Sequence, residues 1–416
     1  MVRPLRVRFL THYYAPEVGA PQARIGFLAR SLAEAGHTVT VHTGFPHYPA
    51  GTVTAPYRNR PWLVEQDGAV RVVRSAVYPA ANRGFARRLT DHSAFAASAV
   101  ACAGLGGPVD VVVAESPPLF TAAAGVIYAA SKRAALVINV ADRWPASAVE
   151  LGALRSRRAI QAAEALERWV YKHADLITAP TAGIVEALTP LPEAARKVRR
   201  VWPVIDLKRF NGASPAEPPG HSALQPLQLV YIGTVGIAQG LETLAEASHL
   251  VGPGRVQTTI IGDGAARPEL QSLLDRREIS NVQLRGPVGA ADVPDLLRDA
   301  DAAAVLLRDL PILASALPTK MLEAMAAARP VLLAARGEAA DLIEASGAGL
   351  TVPPGDPHAL AAAIERLYGD PALRRQLGQT GCNFVRAGFG TAPAVEAWET
   401  VLEQARKAHA GRRASD

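Results

Sequence analysis

Short runs of β-branched and aliphatic residues alternate with Ala- and Leu-rich stretches of helical period along nearly the whole chain. This alternation is typical of βα units built around a parallel sheet. In the first half it predicts strands at Val7–Thr11, Thr38–Thr43, Val70–Arg74, Val109–Ala114, Leu136–Ala141, Leu176–Ala179 and Val198–Trp202. The clearest helices are Pro21–Glu34 and Ala159–His173, because each carries one apolar stripe.

The periodicity stops between residues 206 and 226, where Pro, Gly and Ser are too dense for a helix or a strand. It resumes with predicted strands at Leu227–Ile232, Val256–Ile261, Val282–Arg285, Ala302–Leu307, Pro330–Leu333 and Leu350–Val352. We therefore expect two doubly wound, Rossmann-like α/β domains facing across a cleft. Their predicted bounds are 1–205 and 227–390, joined by a linker at 206–226 and followed by a helix with a basic tail at 391–416 that packs back on the first domain.

The composition excludes several other classes of protein. Of the 416 residues, 49% are hydrophobic and 20% charged, which is unlike a disordered, collagenous or coiled-coil chain. Cys102 and Cys382 are the only cysteines, so neither a disulfide framework nor a CxxC site is available. No apolar run is long enough for a signal-peptide core or a membrane-spanning helix, so we expect a cytoplasmic protein.

Charge is distributed unevenly between the two halves. Residues 1–205 carry a net charge of +10 and residues 206–416 a net charge of −4. A basic lobe attracts nucleic acid or an anionic membrane surface, although solvated helix faces explain the excess equally well. The clearest basic clusters are residues 83–89, where Arg alternates with apolar residues, and Arg155 with Arg157 and Arg158.

Three glycine turns follow predicted strands of the second half: Gly233, Gly262-Asp263-Gly264 and Gly286. The carboxyl ends of parallel strands share one edge of a sheet, so these turns predict a surface on which a nucleotide lies against the backbone. Neither GxGxxG nor GxxxxGK[ST] occurs, which excludes the usual dinucleotide fingerprint and the P-loop.

The segment from Leu317 to Val331 has the most specific content. If a helix begins at Thr319, its free N–H groups and positive dipole end can hold a diphosphate, with Lys320 in the first turn. Glu323, one turn later, can accept two hydroxyls of a ribose. Alternatively, Lys320 and Glu323 form an ordinary surface pair at i,i+3.

Several segments resemble retaining GT-B glycosyltransferases of family 4. The nucleotide-sugar lobe of that family resembles GTVGIAQGLETL, IIGDG, LPTKMLEAMAAARPVLL and GLTVPPGD. The acceptor lobe of its O-antigen and colanic-acid fucosyl- or N-acetylfucosaminyltransferase-like branch resembles HYYAPEVGAPQARIGFLARSLAEAGHTVTVHTGFPHYPAG and ADRWPASAVELG. The likeness covers nearly the whole chain.

The resemblance implies a role for each matching residue of the donor site. It implies ribose binding by Glu323, base binding by Gly262, Asp263, Gly264, Arg285 and Pro287, and a phosphate or donor-sugar contact at Gly19 and Ala20. The chain also departs from the family pattern. The first glutamate of the family's E-x7-E element falls at Ser315, and the usual Arg and Lys after the first donor-lobe strand fall at Thr234 and Gln239.

A diphosphate leaving group needs positive charge and N–H dipoles beside it. We expect Lys320 to provide this charge, with Arg308 as a second cation. The remaining donor and phosphate candidates are Gly233, Thr234, Gln239, Pro318 and Thr319. No DxD-like pair ends a donor-lobe strand, so we expect neither a metal nor another cofactor. Five histidines, at positions 12, 37, 42, 47 and 92, are scattered without metal-ligand spacing and are interpreted as structural or solvent-facing.

On the acceptor side, Asp142 directly follows a predicted strand, at a position where the wider family often has a histidine that touches the donor sugar. We expect Asp142 to be catalytic, as a base for the acceptor hydroxyl, unless it only caps the next helix or pairs with Arg143. Arg143, Trp144 and Glu115 are the other acceptor-side candidates.

Together these features predict an enzyme that moves a sugar from a nucleotide-sugar donor, expected to be UDP-linked, to a saccharide acceptor. The resemblance implies retention and, with the basic lobe, a lipid-linked acceptor of cell-surface polysaccharide or glycolipid synthesis at the inner face of the membrane. Two alternatives stay open: a tailoring transferase for a soluble natural product, and a non-catalytic nucleotide-sugar-binding protein. Nucleic acid is not an expected partner, because no recognised binding motif accompanies the charge.

Overall fold

The structure is a computed structural model that describes residues 3–17, 19–47, 51–53, 55–79, 85–210 and 225–415. The chain divides into two compact units, one formed by Met1–Val204 with Thr391–Asp416 and the other by Ile205–Gly390. Of the segment predicted to be a linker, residues 211–224 lie outside the described residues. Leu207–Phe210, just before them, form a short 3-10 turn of the second unit.

Strands and helices alternate in both units. The first unit contains β1 (Arg6–Leu10), α1 (Ala20–Glu34), β2 (Thr38–Gly44), β3 (Trp62–Asp67), β4 (Val70–Ser75), α2 (Phe85–Ala101), β5 (Val111–Ser116), α3 (Leu119–Lys132), β6 (Ala135–Val140), α4 (Ala146–Glu150), α5 (Arg157–His173), β7 (Leu176–Ala179), α6 (Ala182–Leu188) and β8 (Val198–Arg200). The second contains β9 (Leu227–Ile232), α7 (Leu241–Val251), β10 (Val256–Ile261), α8 (Arg267–Arg276), β11 (Val282–Arg285), α9 (Val293–Arg298), β12 (Ala302–Leu306), α10 (Thr319–Ala326), β13 (Val331–Ala334), α11 (Glu338–Ser346), β14 (Gly349–Val352), α12 (Pro357–Gly369) and α13 (Pro371–Gly388). The last helix, α14 (Thr391–Ser415), belongs to the first unit.

The first unit is built on an eight-stranded sheet in the order β3-β4-β2-β1-β5-β6-β7-β8. All neighbouring strands are parallel except β3 and β4, which pair antiparallel. β3 is absent from the sequence prediction, although Asp67-Gly68 is a common hairpin turn and Gly68 adopts φ 59°. β3 therefore adds one antiparallel edge strand to an otherwise parallel sheet.

The helix α14 packs on the core of the first unit. Trp398 meets Phe9 of β1 edge to face, with ring centroids 6.3 Å apart, and Leu402 and Ala405 are fully buried in the same cluster. At its far end, Arg412 pairs with the buried Asp175 next to β7. Residues 391–415 thus complete a layer over the sheet of the first unit.

The second unit has six parallel strands in the order β11-β10-β9-β12-β13-β14. In an open parallel sheet, ligands bind beyond the carboxyl ends of the strands where the strand order reverses. That point lies between β9 and β12 in the second unit and between β1 and β5 in the first. The residues that follow these four strands are therefore the first places to look for a site.

Candidate functional site

Two of the glycine turns of the second unit touch each other at the carboxyl edge of the sheet. Gly233 donates its N–H to the carbonyl of Ile261, and Val235 donates to the carbonyl of Asp263, both at 2.9 Å. Gly262 has φ 148°, and a Cβ there would collide with the carbonyl oxygen of Gly233. Only glycine lets these strand ends approach so closely.

Lys320 lies beneath the turn that follows β9. Its Nζ donates to the hydroxyl of Tyr231 at 2.5 Å and lies 4.1 Å from the centre of that ring. The Tyr231 hydroxyl in turn donates to the carbonyl of Thr234 at 2.7 Å. Burial lowers the pKa of Lys320 to about 7, although the nearby Glu323 opposes that shift. The amine is therefore only partly protonated near neutral pH, and an added negative charge would favour its cationic form.

Glu323 is held by an arginine that the sequence analysis does not identify. Arg209, in the turn Leu207–Phe210, lies 3.5 Å from a carboxylate oxygen of Glu323 and also donates to the carbonyl of Ala290. Burial raises the pKa of the Glu323 carboxyl, while Arg209 and Lys320 oppose that rise. Arg209 thus links α10 to the loop after β11. No local motif signals it, because residues 209, 290 and 323 meet only in the folded unit.

The residues expected to hold the base lie together at the ends of β10 and β11. Asp263 and Arg285 are exposed there, as is Pro287, and Asp263 accepts the N–H of Gly264 at 2.8 Å. Arg267 is a further residue of this edge that the sequence analysis missed. Its guanidinium donates hydrogen bonds to the carbonyls of Gly262 and Arg285 at 2.8 and 2.9 Å. These bonds connect the turn after β10 to the end of β11.

The other donor-side candidates are spread around the same edge. Thr234 is exposed and Gln239 ends a 3-10 turn before α7, while Pro318 and Thr319 begin α10. Arg308 follows β12 and pairs at 2.6 Å with Glu242, a residue as exposed as itself. Arg308 is thus a surface cation already engaged with a carboxylate, whereas Lys320 is partly buried beside the glycine turn.

In the first unit, Asp142 follows β6 and is exposed. One carboxylate oxygen accepts the backbone N–H of Arg143 at 2.7 Å and the other accepts the hydroxyl of Ser147 at 2.9 Å. Asp142 thus contacts the first turn of α4 through Ser147, but it does not cap a free N–H of that helix, whose N-cap residue is Pro145. Trp144 packs partly buried against the core. Burial raises the pKa of the Glu167 carboxyl, and the nearby Arg143 side chain partly opposes that rise.

Glu115, at the end of β5, is buried rather than open to a ligand. Its carboxylate accepts hydrogen bonds from Arg24 at 2.6 Å, from Thr11 at 2.8 Å and from Asn139 at 3.4 Å. The side chain of Arg24 is 20% exposed, against 4% for Glu115. A ligand at this strand edge would therefore meet Arg24 first. Gly19 is the N-cap of α1 and Ala20 its first residue, in the segment after the neighbouring strand β1.

Three of the five histidines, His12, His47 and His92, lie together in the folded chain, although their positions in the sequence are far apart. His12 and His47 both contact the buried carboxylate of Asp91, and the ring of His92 lies 4.8 Å from that of His12. His42 is fully buried beside Ser75, so none of His12, His42 and His47 faces solvent. Sequence spacing could not show this, because strand ends and a helix bring the residues together.

A groove of about 390 Å³ opens beside the ends of β2 and β4 in the first unit. It is lined by Phe45, Tyr57, Arg58, Arg60 and Val77, among others. Aromatic rings and arginines together suit a polar ligand with flat, partly apolar faces.

The basic clusters are exposed where they are described. Arg87 and Arg88 lie in the first turns of α2, and Arg155, Arg157 and Arg158 lie at the start of α5. Arg83 and Gly84 fall outside the described residues. Within the described ranges, none of the helices has the length and apolarity needed to cross a bilayer.

Two family models match the chain, one in each unit. Residues 19–203 match a model described as glycosyl transferase 4-like domain, and residues 226–370 match one described as glycosyl transferases group 1. Among curated relatives, an alpha-D-kanosaminyltransferase from Streptomyces kanamyceticus is 29% identical over 40% of this chain and 42% of its own length. The WcaI glycosyl transferase of Escherichia coli (strain K12), whose name places it in colanic acid biosynthesis, is 24% identical over 85% of this chain and 89% of its own.

Solved structures share the fold over almost the full length. A sucrose-phosphate synthase from Thermosynechococcus elongatus superimposes with a TM-score of 0.74 at 20% identity, covering 99% of this chain and all of the other. Anabaena HepE in complex with UDP gives a TM-score of 0.69 at 16% identity, covering 96% of this chain and all of the other. With two parallel-sheet α/β domains, the fold is GT-B, as the sequence predicts.

Proposed function

We propose that the chain is a glycosyltransferase that transfers a sugar, with retention of anomeric configuration, from a UDP-linked donor to a saccharide acceptor. The observation that carries the proposal is the position of Lys320 and Glu323 on successive turns of α10, beside the glycine turn at the end of β9. This places a cation and a carboxylate one helical turn apart at the point where the strand order reverses.

The donor would lie along the carboxyl edge of the second sheet. The Glu323 carboxylate, held by Arg209, would accept two ribose hydroxyls, and the base would rest against Gly262–Gly264 and Arg285–Pro287. Lys320 and the N-terminus of α10 would hold the diphosphate, with Arg308 as an additional surface cation. UDP is the preferred carrier because HepE, with the same fold, binds UDP and UDP-glucose.

The reaction breaks the bond between the anomeric carbon and the diphosphate oxygen and forms a bond from that carbon to an acceptor hydroxyl oxygen. Negative charge grows on the leaving diphosphate, and a cationic Lys320 would stabilise it without a divalent ion. The hydroxyl proton would pass to Asp142 or, in a front-face mechanism, to the leaving phosphate. A double displacement would instead need a carboxylate nucleophile about 5 Å from its partner acid.

For the acceptor we propose a lipid-linked saccharide of a cell-surface polysaccharide or glycolipid. The groove lined by Phe45 and Tyr57 in the first unit is the candidate binding surface, and the exposed arginines of α2 and α5 would attract anionic headgroups. The name of WcaI supports a polysaccharide product. The second candidate acceptor is a soluble natural product.

A thermal-shift screen with UDP, GDP, ADP and dTDP tests the donor. At about 100 times its dissociation constant, the preferred nucleotide stabilises the protein by about 2.7 kcal/mol. Glu323→Ala should abolish most of this shift, whereas Glu365→Ala, which removes an exposed carboxylate of α12 paired with Arg255, should leave it intact. An equal response in Glu323→Ala would refute the ribose role. UDP binding that disappears on adding a chelator would refute the metal-free diphosphate site.

Two further assays test the acceptor and the stereochemistry. Sedimentation with anionic vesicles at low and high salt separates the two acceptor classes, because an electrostatically bound enzyme is released as salt rises. Failure to bind vesicles at low salt would favour the soluble acceptor. NMR of the anomeric proton in the product shows retention or inversion, and an inverted product would refute the retaining assignment.

A further inference from the structure

Three segments of the first unit bring His12, His47 and Asp91 together. His12 lies in the loop after β1, His47 in the loop after β2, and Asp91 within α2. All three residues are buried, and their ligand atoms lie within 4.8 Å of one another. The Nε2 atoms of both histidines are 2.9 Å from the same oxygen, Oδ2 of Asp91. The cluster is built from separate elements and does not belong to the donor site.

The hydrogen bonds of His47 restrict what can lie between it and Asp91. Its Nδ1 is 2.8 Å from the carbonyl oxygen of Phe45, which can only accept, so Nδ1 carries a hydrogen. In a neutral His47 the lone pair is then on Nε2, which faces a carboxylate oxygen that also only accepts. Either a second proton or a metal ion must lie there. A ring N–H donated to a backbone carbonyl is also how metal-bound histidines are usually oriented.

Other atoms of the cluster lack partners although they are buried. Nδ1 of His12 and Oδ1 of Asp91 have no hydrogen-bond partner in the described part of the chain. A second buried carboxylate, Glu17, accepts the backbone N–H of His47 at 2.9 Å and lies 3.8 Å from its ring. With both imidazoles neutral, the buried carboxylate of Asp91 would have no counter-charge at the oxygen that they contact, which is costly.

We propose that His12, His47 and Asp91 form a binding site for a zinc-type divalent cation. Two imidazole nitrogens and a carboxylate oxygen are ordinary zinc ligands, and three protein ligands leave a fourth position for water. Adjacent ligands of a tetrahedral site with 2.0 Å bonds are about 3.3 Å apart, so the two histidine–Asp91 separations of 2.9 Å would widen slightly, and the two histidine nitrogens, which lie within 4.8 Å of each other, would adjust to the same spacing. Such an ion would contradict the expectation from the sequence that the protein holds no metal.

The ion would tie together three segments near the proposed acceptor groove. It would join the loop that contains Tyr13 and Glu17 to the loop after β2 and to α2. Phe45, whose carbonyl orients His47, also lines the groove. The site would therefore stabilise this part of the first unit, and it does not depend on the identity of the donor or the acceptor.

The test uses the full chain purified without a polyhistidine tag. Mass spectrometry of the metal content should find about one zinc per chain, and dialysis against a chelator should remove it. Adding excess ZnCl2 to the dialysed protein should restore one zinc and raise the melting temperature by about 5 °C. No zinc in the protein as purified, together with no binding by calorimetry after dialysis, would overturn the proposal.

Variants locate the ligands. His47→Asn and Asp91→Asn should lose zinc binding at least tenfold, while His92→Asn, which changes a neighbouring histidine outside the ligand set, should keep full stoichiometry. Circular dichroism identifies any variant that fails to fold. If a variant does not fold, the visible spectrum of cobalt(II) added to the unsubstituted protein tests the site instead. Intense absorption bands of tetrahedral cobalt(II) would support the site, and the spectrum of aqueous cobalt(II) would refute it. Undiminished zinc binding by a folded His47→Asn variant would also refute it.

Discussion

The affinity of this protein for UDP should fall as the pH rises above 7, because Lys320 loses its proton. Burial holds the pKa of Lys320 at about 7 in the free protein. A bound diphosphate places negative charge beside the amine and raises its pKa again, so the complex holds a proton that the free protein releases. The terminal phosphate of a nucleotide ionises at about pH 6 and changes little over this range.

The size of the effect follows from the protonated fraction of Lys320. With a pKa of about 7, that fraction is about one half at pH 7 and about one hundredth at pH 9. If the bound pKa stays above 9, the dissociation constant rises about 50-fold between these pH values, equal to about 2.3 kcal/mol. A surface lysine with a pKa of about 10.4 would give almost no change over the same interval.

Isothermal titration calorimetry with UDP at pH 7, 8 and 9 measures this dependence, and buffers of different ionisation enthalpy report the proton taken up. Lys320→Met should bind weakly at all three pH values and lose the slope. Lys208→Met, a matched change at an exposed lysine of the same unit, should keep it. A dissociation constant that is constant between pH 7 and 9 would refute the role of Lys320, as would a slope that survives in Lys320→Met.

Three further predictions concern other residues. Arg209→Gln should weaken UDP binding about tenfold, because Glu323 loses its partner and its link to the loop after β11; calorimetry measures this. Gly262→Ala should destabilise the second unit by about 3 kcal/mol in urea denaturation, because a methyl group would meet the carbonyl oxygen of Gly233 at a backbone angle that favours glycine. Glu115→Gln should cost about 1–3 kcal/mol by the same measurement, since it leaves Arg24 partly buried without its counter-charge.

Each of these three has a control in the same unit. Lys208→Gln removes the charge next to Arg209 and should leave UDP binding unchanged. Gly254→Ala adds a methyl group with no atom within 4 Å and should be nearly neutral, and Glu34→Gln, at an exposed residue of α1, should also change the free energy of unfolding little. If Gly262→Ala were as mild as Gly254→Ala, the close packing of the glycine turns would be refuted.

Much of the fold could be predicted because it depends on local periodicity. Apolar runs predicted the strands of both sheets to within a few residues, as for Leu227–Ile232, which the structure reproduces. The helix expected to begin at Thr319 does begin there. β3 was not predicted because its apolar run is limited to Trp62–Val64, followed by three polar residues, and none of its residues is buried.

The candidate site could be predicted only in part. Residues next to strand ends, such as Gly233 and Gly262, could be found because a parallel sheet collects its strand ends at one edge. Arg209 and Arg267 could not be found in this way. Each contributes through contacts with carbonyl groups that lie far along the chain, and nothing in the neighbouring sequence indicates them.

The alternation of strands and helices, the two α/β units and the helix that carries Lys320 and Glu323 follow from hydrophobic period and turn residues, which act over short distances along the chain. The burial of Lys320 against Tyr231, the position of Glu115 behind Arg24 and the meeting of two distant histidines at Asp91 appear only in the folded protein. Desolvation and ion pairing depend on which residues become neighbours in space, and local patterns do not contain that information.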